Sequence, residues 1–296
     1  MNSSEFKHKK NLVISKFWSD ALFPDGSDYE ERVSYFQEKI WKTISENGQD
    51  NDLIIISSGA AKLWKNKMND ENISSQSAAS IWQPELIKFW EEVIWLPVGQ
   101  VLVNYMPSID FSKVSKIRFK VLIQRVYEKL IKEPQDQNIL STIKEIIQTN
   151  SIPVVNFNDA VDKMELEALS HFQDNDNLFE YVVNLMNQLN FYKNIYWIVY
   201  STRPFCINTQ WELIPIPDLT INKFDIDWLL KHCDGKSNWG TWWMFNKLNV
   251  SYNLVKKGNL TSAAISNTQS SLQEVLNMLK DWAWNDNTTI LKIWQY

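Results

Sequence analysis

Glycine is scarce in this sequence, and tryptophan is abundant. The chain of 296 residues contains 7 Gly and 15 Trp. Average usage would supply about 20 glycines, because glycine makes up roughly 7% of an ordinary protein. The remaining composition, with 44% hydrophobic and 22% charged residues, excludes a disordered, a collagenous or a disulfide-stapled chain. A folded domain with a large hydrophobic core is therefore expected.

Cysteine and histidine are rare as well. Cys206 and Cys233 lack the paired spacing of a zinc site or a disulfide framework, which favours a reducing compartment. The sequence contains no G-x-S-x-G elbow, no H-E-x-x-H motif, no Walker A loop and no G-x-G-x-x-G motif. These absences argue against serine-hydrolase, zinc-protease, P-loop and dinucleotide-binding chemistry.

Long hydrophobic runs and an excess of positive charge are also missing. No apolar stretch has the length of a signal-peptide core or approaches the 18 residues of a membrane span. A net charge of -5 gives no general attraction to nucleic acid or to an anionic membrane. We expect a cytoplasmic protein that binds neither nucleic acid nor membrane. Residues 1–10, which include the basic run Lys7–Lys10, are interpreted as a solvated tail.

Short β-branched runs alternate with longer stretches of helical period along the rest of the chain. Leu53–Ser57 is apolar at nearly every position, as in a central parallel strand buried on both sides. Similar runs predict strands at Asn11–Ser15, Val98–Val103, Ile152–Asn156 and Ile195–Ser201. Helices are predicted at about 75–95, 114–132, 137–149, 178–190 and 244–257, and a further helix follows the capping-box pattern Ser27–Glu30. This alternation predicts an α/β fold, a three-layer αβα sandwich around a mainly parallel sheet, in a single domain over residues 11–296.

Polar residues follow several of these strands, and ligands bind at the carboxyl ends of parallel strands. Such residues are also common in ordinary turns, and both interpretations stay open. Two segments stand out, Asn156–Asp159 after a buried strand and Asp174–Asn177 before a helix, although the second has the composition of a helix cap. With Lys16 and Lys247, they would suit phosphoryl transfer, where catalysis is mainly positioning and charge neutralisation.

These segments occur in an order that resembles glutamate 5-kinase, a member of the amino acid kinase family. The matching motifs are ISKFWSDAL around Lys16, ISSGAA at 56–61, VGQVLV at 98–103, IPVVNFNDAV at 152–161, DNDNL at 174–178 and GTWWMFNKL at 240–248. The resemblance runs from about residue 11 to residue 260. Its most specific part is the pair PVVNFNDAV and DNDNL.

The resemblance implies an amino acid kinase fold and a role for each matching residue. Lys16 would contact the nucleotide phosphates, Lys247 would stabilise the phosphoryl group in transfer, and Asp176 would hold the lysines in place. The implied glutamate-binding residues are Ser58, Asp159, Asn175 and Asn156. The implied ATP-binding residues are Lys16, Ser201, Thr202, Thr241, Trp242, Trp243, Met244, Phe245, Asn246 and Lys247. Mg²⁺ would arrive with ATP, with no separate metal site in the protein.

The same resemblance implies a division of the domain and an assembly. Residues of about 11–165 would bind the amino-acid substrate, and residues of about 166–296 would bind the nucleotide. A homo-oligomer is expected. Because the chain ends at Tyr296, the RNA-binding-like C-terminal domain and the reductase domain found in some family members are expected to be absent.

The departures from the family concentrate on glycine. Tryptophan stands at five expected glycine positions, and other residues replace three more. The five are Trp18, Trp64, Trp82, Trp242 and Trp243, and the three are Gln173, Phe205 and Asn238. In phosphate-binding loops, glycine admits positive φ and lets backbone N–H groups approach the phosphate. Core packing is expected for Trp90, Trp197 and Trp228 but not for the five. The alternative function is therefore a degenerate pseudokinase, one that binds an amino acid or is inactive.

Overall fold

The computed structural model describes residues 11–41, 43–44, 48, 50–68, 75–103, 121, 125, 128–157, 175–201, 206–207, 213–214, 218–220, 243–281 and 288–292. Its principal sheet has eight strands in the order β3-β4-β2-β1-β5-β9-β10-β8. The strands are β1 (Asn11–Phe17), β2 (Asn51–Ser57), β3 (Val98–Val103), β4 (Ile152–Phe157), β5 (Asn194–Tyr200), β8 (Asp218–Thr220), β9 (Ser262–Ser266) and β10 (Thr288–Lys292). A separate pair joins β6 (Cys206–Ile207) to β7 (Leu213–Ile214).

In this sheet order, the first six strands, from β3 across to β9, all run parallel, and β10 runs antiparallel to β9. The predicted mainly parallel sheet is therefore confirmed. Leu53–Ser57 lies in β2, between β4 and β1, as the continuous apolar run predicted. In contrast, β3 lies at one edge of the sheet and its Leu102 is 39% exposed, so the prediction that the run Val98–Val103 resembles Leu53–Ser57 in being buried on both faces was wrong.

Helices cover both faces of the sheet. The described α-helices are α1 (Ser19–Leu22), α2 (Tyr29–Phe36), α3 (Ala60–Met68), α4 (Ser75–Ile94), α5 (Glu133–Gln148), α6 (Asn175–Asn187), α7 (Trp243–Lys256) and α8 (Leu272–Asp281). Apolar residues of α5, α6 and α7 pack on one face of the sheet, and those of α1 to α4 and α8 pack on the other. The structure thus has the three predicted αβα layers. Most of the predicted helix at 114–132 lies outside the described residues.

Local signals in the sequence explain where several elements begin. Asp28 caps α2, because its Oδ1 accepts a hydrogen bond from Glu31 N at 3.1 Å. The cap is therefore one residue later than the predicted Ser27. The first strand also continues further than predicted, so that Lys16 lies inside β1 and Trp18 is the residue that follows the strand.

An asparagine ladder fixes the register of the three central strands at their amino ends. Asn11 lies directly opposite Asn51 on β2 and Asn194 on β5. Asn11 Nδ2 donates to Asn51 Oδ1 at 2.9 Å, and Asn194 Nδ2 donates to Asn11 Oδ1 at 2.8 Å. Because a shift of one residue would turn every core side chain to the opposite face, this ladder adds polar specificity to a register that burial already favours.

Candidate active site

Two buried lysines meet at the carboxyl end of the central strands. Lys16, near the end of β1, is 1% exposed, and Lys247, in α7, is 4% exposed. Their Nζ atoms lie 4.3 Å and 4.2 Å from the ring centroid of the same residue, Trp18. Full burial of a lysine is rare, because its ammonium group must be compensated. The structure therefore brings together the two lysines that the sequence singled out, and it places an indole against both.

Three hydrogen bonds fix the backbone of Trp18 in place. Its N–H donates to Tyr200 O at the end of β5 at 3.3 Å, and its carbonyl oxygen accepts from Ala21 N and Leu22 N at 3.0 Å and 2.9 Å. Its φ of -76° and ψ of 147° are ordinary extended values. The backbone at this position therefore does not need the positive φ that glycine permits. The side chain packs partly buried against the core layer that contains α5, α6 and α7.

The short helix that follows Trp18 is held by two further cations. Arg32 donates from Nε to Leu22 O at 2.6 Å and from Nη2 to Ala21 O at 2.7 Å. Lys62 forms ion pairs with Asp20, at 3.1 Å, and with Asp25. Partial burial tends to lower the pKa of Lys62, but hydrogen bonds with the two aspartates outweigh it, and the net shift is upward. No sequence motif marks Arg32, Asp20 or Lys62, so their positioning role was missed.

Ser201 connects Lys247 to the end of β5. Lys247 Nζ donates to Ser201 Oγ at 3.1 Å, and Ser201 N donates to Ser266 O at 2.9 Å. Since Ser201 directly follows β5 and Ser266 ends β9, the lysine is anchored to two neighbouring strands. Ser201 was predicted to bind ATP, and the structure places its hydroxyl beside the predicted catalytic ammonium group.

Ser58 and Gly59 form the turn between β2 and α3. Ser58 donates from both N and Oγ to Phe17 O at 3.4 Å, which brings this predicted glutamate-binding residue to the end of β1. Gly59 has φ +139°, and an added Cβ would lie 3.3 Å from the ring of Phe23. The backbone conformation therefore favours glycine here, and a Cβ would fit only if the ring of Phe23 moved slightly.

Other predicted site residues are placed less completely. Asn156 is 5% exposed and lies within β4, on the sheet face of Ile152 and Val154 rather than on the face of Lys16. Asn175 and Asp176 begin α6, but their side chains are outside the described part of the chain. The same holds for the residues from Trp243 to Asn246 at the start of α7. Asp159, Thr202, Thr241 and Trp242 lie wholly outside the described residues.

The tryptophans at expected glycine positions have different environments. Trp64 lies inside α3 and is 3% exposed, and Trp82 lies inside α4 and packs partly buried against the core. The prediction that core packing cannot explain these two was wrong, because both belong to helices whose apolar faces cover the sheet. Trp90 and Trp197 are buried as predicted, and Trp90 Nε1 donates to Ser57 Oγ at 2.9 Å. Trp228 lies outside the described residues.

A cavity of about 180 Å³ lies at the opposite, amino edge of the sheet. Its polar lining includes Thr43, Asn51 and Asp52, and Asp52 accepts a hydrogen bond from Tyr192 Oη at 2.8 Å. The lysine pair lies at the other end of the strands. We therefore place the candidate active site around Lys16, Lys247, Ser201 and Ser58, where charge and polar groups converge.

Two classes of site are not found in the described part of the chain. Within those residues, no three His, Cys, Asp or Glu side chains lie close enough together to hold a metal ion. None of the helices described there combines the length and the apolar character needed to cross a membrane.

The sequence resembles proteins named glutamate 5-kinase. The one from Clostridium perfringens is 28% identical over 182 residues, which cover 61% of this chain and 61% of that protein. The one from Enterococcus faecalis is 27% identical over 190 residues, which cover 62% of this chain and 61% of that protein. The chain thus spans about three fifths of the length of these curated relatives. No protein-family model matches the sequence.

Solved structures share the fold at much lower sequence identity. Carbamate kinase of Giardia superimposes with a TM-score of 0.54 at 10% identity, covering 96% of this chain and 98% of that one. The N-acetylglutamate synthase of Neisseria gonorrhoeae, complexed with coenzyme A and L-arginine, gives a TM-score of 0.52 at 9% identity, covering 96% of this chain and 61% of that one. The chain has the amino acid kinase fold that its sequence predicted.

Proposed function

We propose that this protein is a glutamate 5-kinase, which transfers the γ-phosphate of ATP to the side-chain carboxylate of L-glutamate, in the first step of proline biosynthesis. The observation that carries the proposal is the pair of buried lysines, Lys16 and Lys247, which converge at the carboxyl end of β1 and β5. Two fixed ammonium groups suit a reaction in which negative charge on a moving phosphoryl group must be neutralised. The similarity to glutamate 5-kinases favours glutamate as the acceptor.

In the proposed reaction, an oxygen of the glutamate γ-carboxylate attacks the γ-phosphorus of ATP. An O–P bond forms, the bond from phosphorus to the β,γ-bridging oxygen breaks, and ADP leaves with that electron pair. The carboxylate is already ionised at neutral pH, so the step needs no proton transfer. Lys16 would bind the nucleotide phosphates, while Lys247, which donates a hydrogen bond to Ser201, would stabilise the phosphoryl group during its transfer.

The remaining predicted residues complete the proposed site. Ser58, Asn156, Asp159 and Asn175 would bind glutamate, and Asp176 would orient the lysines. Residues 202 and 241–246 would contact the nucleotide, which brings Mg²⁺ with it. A cytoplasmic homo-oligomer, with the glutamate half at about 11–165 and the nucleotide half at about 166–296, belongs to the same proposal.

The product is an acyl phosphate, which hydroxylamine converts to the γ-hydroxamate. The purified protein should therefore form glutamyl hydroxamate from glutamate, MgATP and hydroxylamine, and the iron(III) complex of the hydroxamate gives a colorimetric measurement. Lys247→Met should abolish the colour, whereas Lys88→Met, at a largely exposed lysine of α4, should retain it. No hydroxamate from the unsubstituted protein at high enzyme concentration would reject the kinase activity.

A second candidate function is a non-catalytic descendant that binds an amino acid without transferring phosphate. The contact of the Trp18 indole with both ammonium groups favours it, since the ring lies against the groups that would bind phosphate. Calorimetry distinguishes the two candidates. MgATP binding at ordinary micromolar affinity would count against this second candidate, and binding of glutamate alone would favour it.

A further inference from the structure

The Trp18 indole and a phosphate group would compete for the same two cations. A ring centroid 4.2 to 4.3 Å from an ammonium nitrogen is in direct cation–π contact with it. A phosphate oxygen needs to come within about 2.9 Å of the same nitrogen. At these separations no atom fits between the ring and either ammonium group, so a phosphate that bridges the two ammonium groups needs the volume that the ring occupies.

We propose that Trp18 is an internal ligand of Lys16 and Lys247, which the phosphate chain of ATP must displace before both ammonium groups can reach it. The inference rests on the proposed function, because it assumes that these lysines bind nucleotide phosphate. It makes Trp18 a positioning residue that sets the affinity for ATP through the lysines. It also explains how a bulky side chain can stand beside the reaction site without abolishing the reaction.

The surrounding contacts determine how the ring can leave. The backbone of Trp18 is bonded to Tyr200 and to the first turn of α1. The end of α1 is in turn held by Arg32. Movement of the whole segment would break these bonds together, whereas rotation of the side chain breaks none of them. Displacement therefore proceeds by rotation of the indole, with the backbone in place.

Removing the ring should tighten MgATP binding by at least about tenfold, a ratio equivalent to about 1.4 kcal/mol. The test is calorimetric titration of MgATP into the unsubstituted protein and into Trp18→Ala. Trp18→Phe serves as a variant that keeps an aromatic packing group with a weaker attraction for cations, and it should give an intermediate affinity. Trp95→Ala, at a 64% exposed residue that precedes β3 at the amino edge of the sheet, is the matched control and should bind as the unsubstituted protein does.

Kinetics provide a second measurement on the same variants. In the hydroxamate assay, Trp18→Phe should lower the KM for MgATP with a smaller change in kcat, because the ring competes with ground-state binding. A purely structural role for Trp18 would instead lower kcat and thermal stability together. If Trp18→Ala does not fold, the comparison of Trp18→Phe with the unsubstituted protein decides.

The outcomes separate this inference from the proposed function. Hydroxamate formation with equal ATP affinity in all variants would overturn the inference and leave the kinase activity standing. Weaker binding in Trp18→Ala or Trp18→Phe would also overturn it, because the ring would then contribute to the nucleotide site. Absence of ATP binding in every variant would overturn the inference and the proposed function together.

Discussion

The two buried lysines should repel each other, and replacing both by methionine measures that repulsion. Both Nζ atoms lie near one ring centroid, at 4.3 and 4.2 Å, so they are separated by at most about 8.5 Å, the sum of these distances. Two unit charges at that distance repel by about 2 kcal/mol at an effective dielectric constant of about 20, and by more if they are closer. Solvent screens this repulsion little, because Lys16 and Lys247 are 1% and 4% exposed.

Favourable contacts offset part of that repulsion. Replacing Lys247 removes its hydrogen bond to Ser201, which is worth about 1.5 to 3 kcal/mol when one partner is charged. It also removes the cation–π contact with Trp18, which is worth up to about 2 kcal/mol. On the other side, the substitution removes the repulsion and the desolvation penalty, which is several kcal/mol for a buried ion. Methionine fills the vacated space with an unbranched apolar chain. Each single substitution therefore changes several contributions at once, and only a cycle that compares both lysines isolates the repulsion between them.

A double-mutant cycle measures the repulsion directly. Urea unfolding of Lys16→Met, Lys247→Met and the double variant should show that the two changes in the free energy of unfolding are not additive. Their sum should exceed the effect of the double variant by about 2 kcal/mol, because either substitution alone removes the repulsion. Lys88→Met, at an exposed side chain, should change the stability by less than about 0.5 kcal/mol. Additivity within about 0.5 kcal/mol would refute the reasoning, since the two charges would then not interact.

Three further predictions concern the fold. Burial and the nearby Asp52 raise the pKa of Tyr192, so its contribution to stability should be complete below about pH 10 and should decline above that pH, by up to about 1.4 kcal/mol per pH unit. Between pH 9 and pH 11, the free energy of urea unfolding should fall less in Tyr192→Phe than in the unsubstituted protein, and an equal fall would contradict the assignment. Ser271→Ala should cost about 1 kcal/mol in thermal unfolding, because Ser271 and Glu274 exchange two capping hydrogen bonds of 2.7 and 3.2 Å; an unchanged Tm would show that the cap contributes nothing. Asn11→Ala should cost about 1 to 3 kcal/mol in urea, because it interrupts the asparagine ladder, and a loss within 0.5 kcal/mol, as is usual for a surface substitution, would exclude that role.

The sequence predicted the sheet better than the end of the chain. Runs such as Leu53–Ser57 are apolar and β-branched, which marks a strand buried on both faces. In contrast, β9 is formed by Ser-Ala-Ala-Ile-Ser, whose small residues give a weak strand signal, and it was missed. The helix α8 was missed although its capping pair and the buried residues Leu272, Val275, Leu276 and Leu279 follow the rules for an amphipathic helix. The burial of Trp64 depends on packing against distant elements, which composition does not reveal.

The candidate site shows a similar division. Lys16, Lys247, Ser58 and Ser201 were selected from the sequence, and the structure places them at the carboxyl edge of the sheet. Their chemical roles remain predictions. The contact of one indole with both ammonium groups joins residues far apart in the chain, and no local pattern encodes it. The anchoring of α1 by Arg32 and Lys62 is equally non-local.

The position of β1 in the sheet has a consequence for synthesis of the chain. One edge of β1 pairs with β2, which begins at residue 51, and its other edge pairs with β5. The second pairing cannot form until β5 has been made, and the hydrogen bond between Asn11 and Asn194 spans 183 residues. At about 5 to 20 residues per second, the ribosome needs roughly ten to forty seconds to make that interval. During this time the nascent chain presents an unpaired apolar strand edge, which is a template for association with other chains. β1 precedes the other described strands in the chain and cannot complete its pairing until β5 has been made, and this interval is when a chaperone would be of most use to the protein.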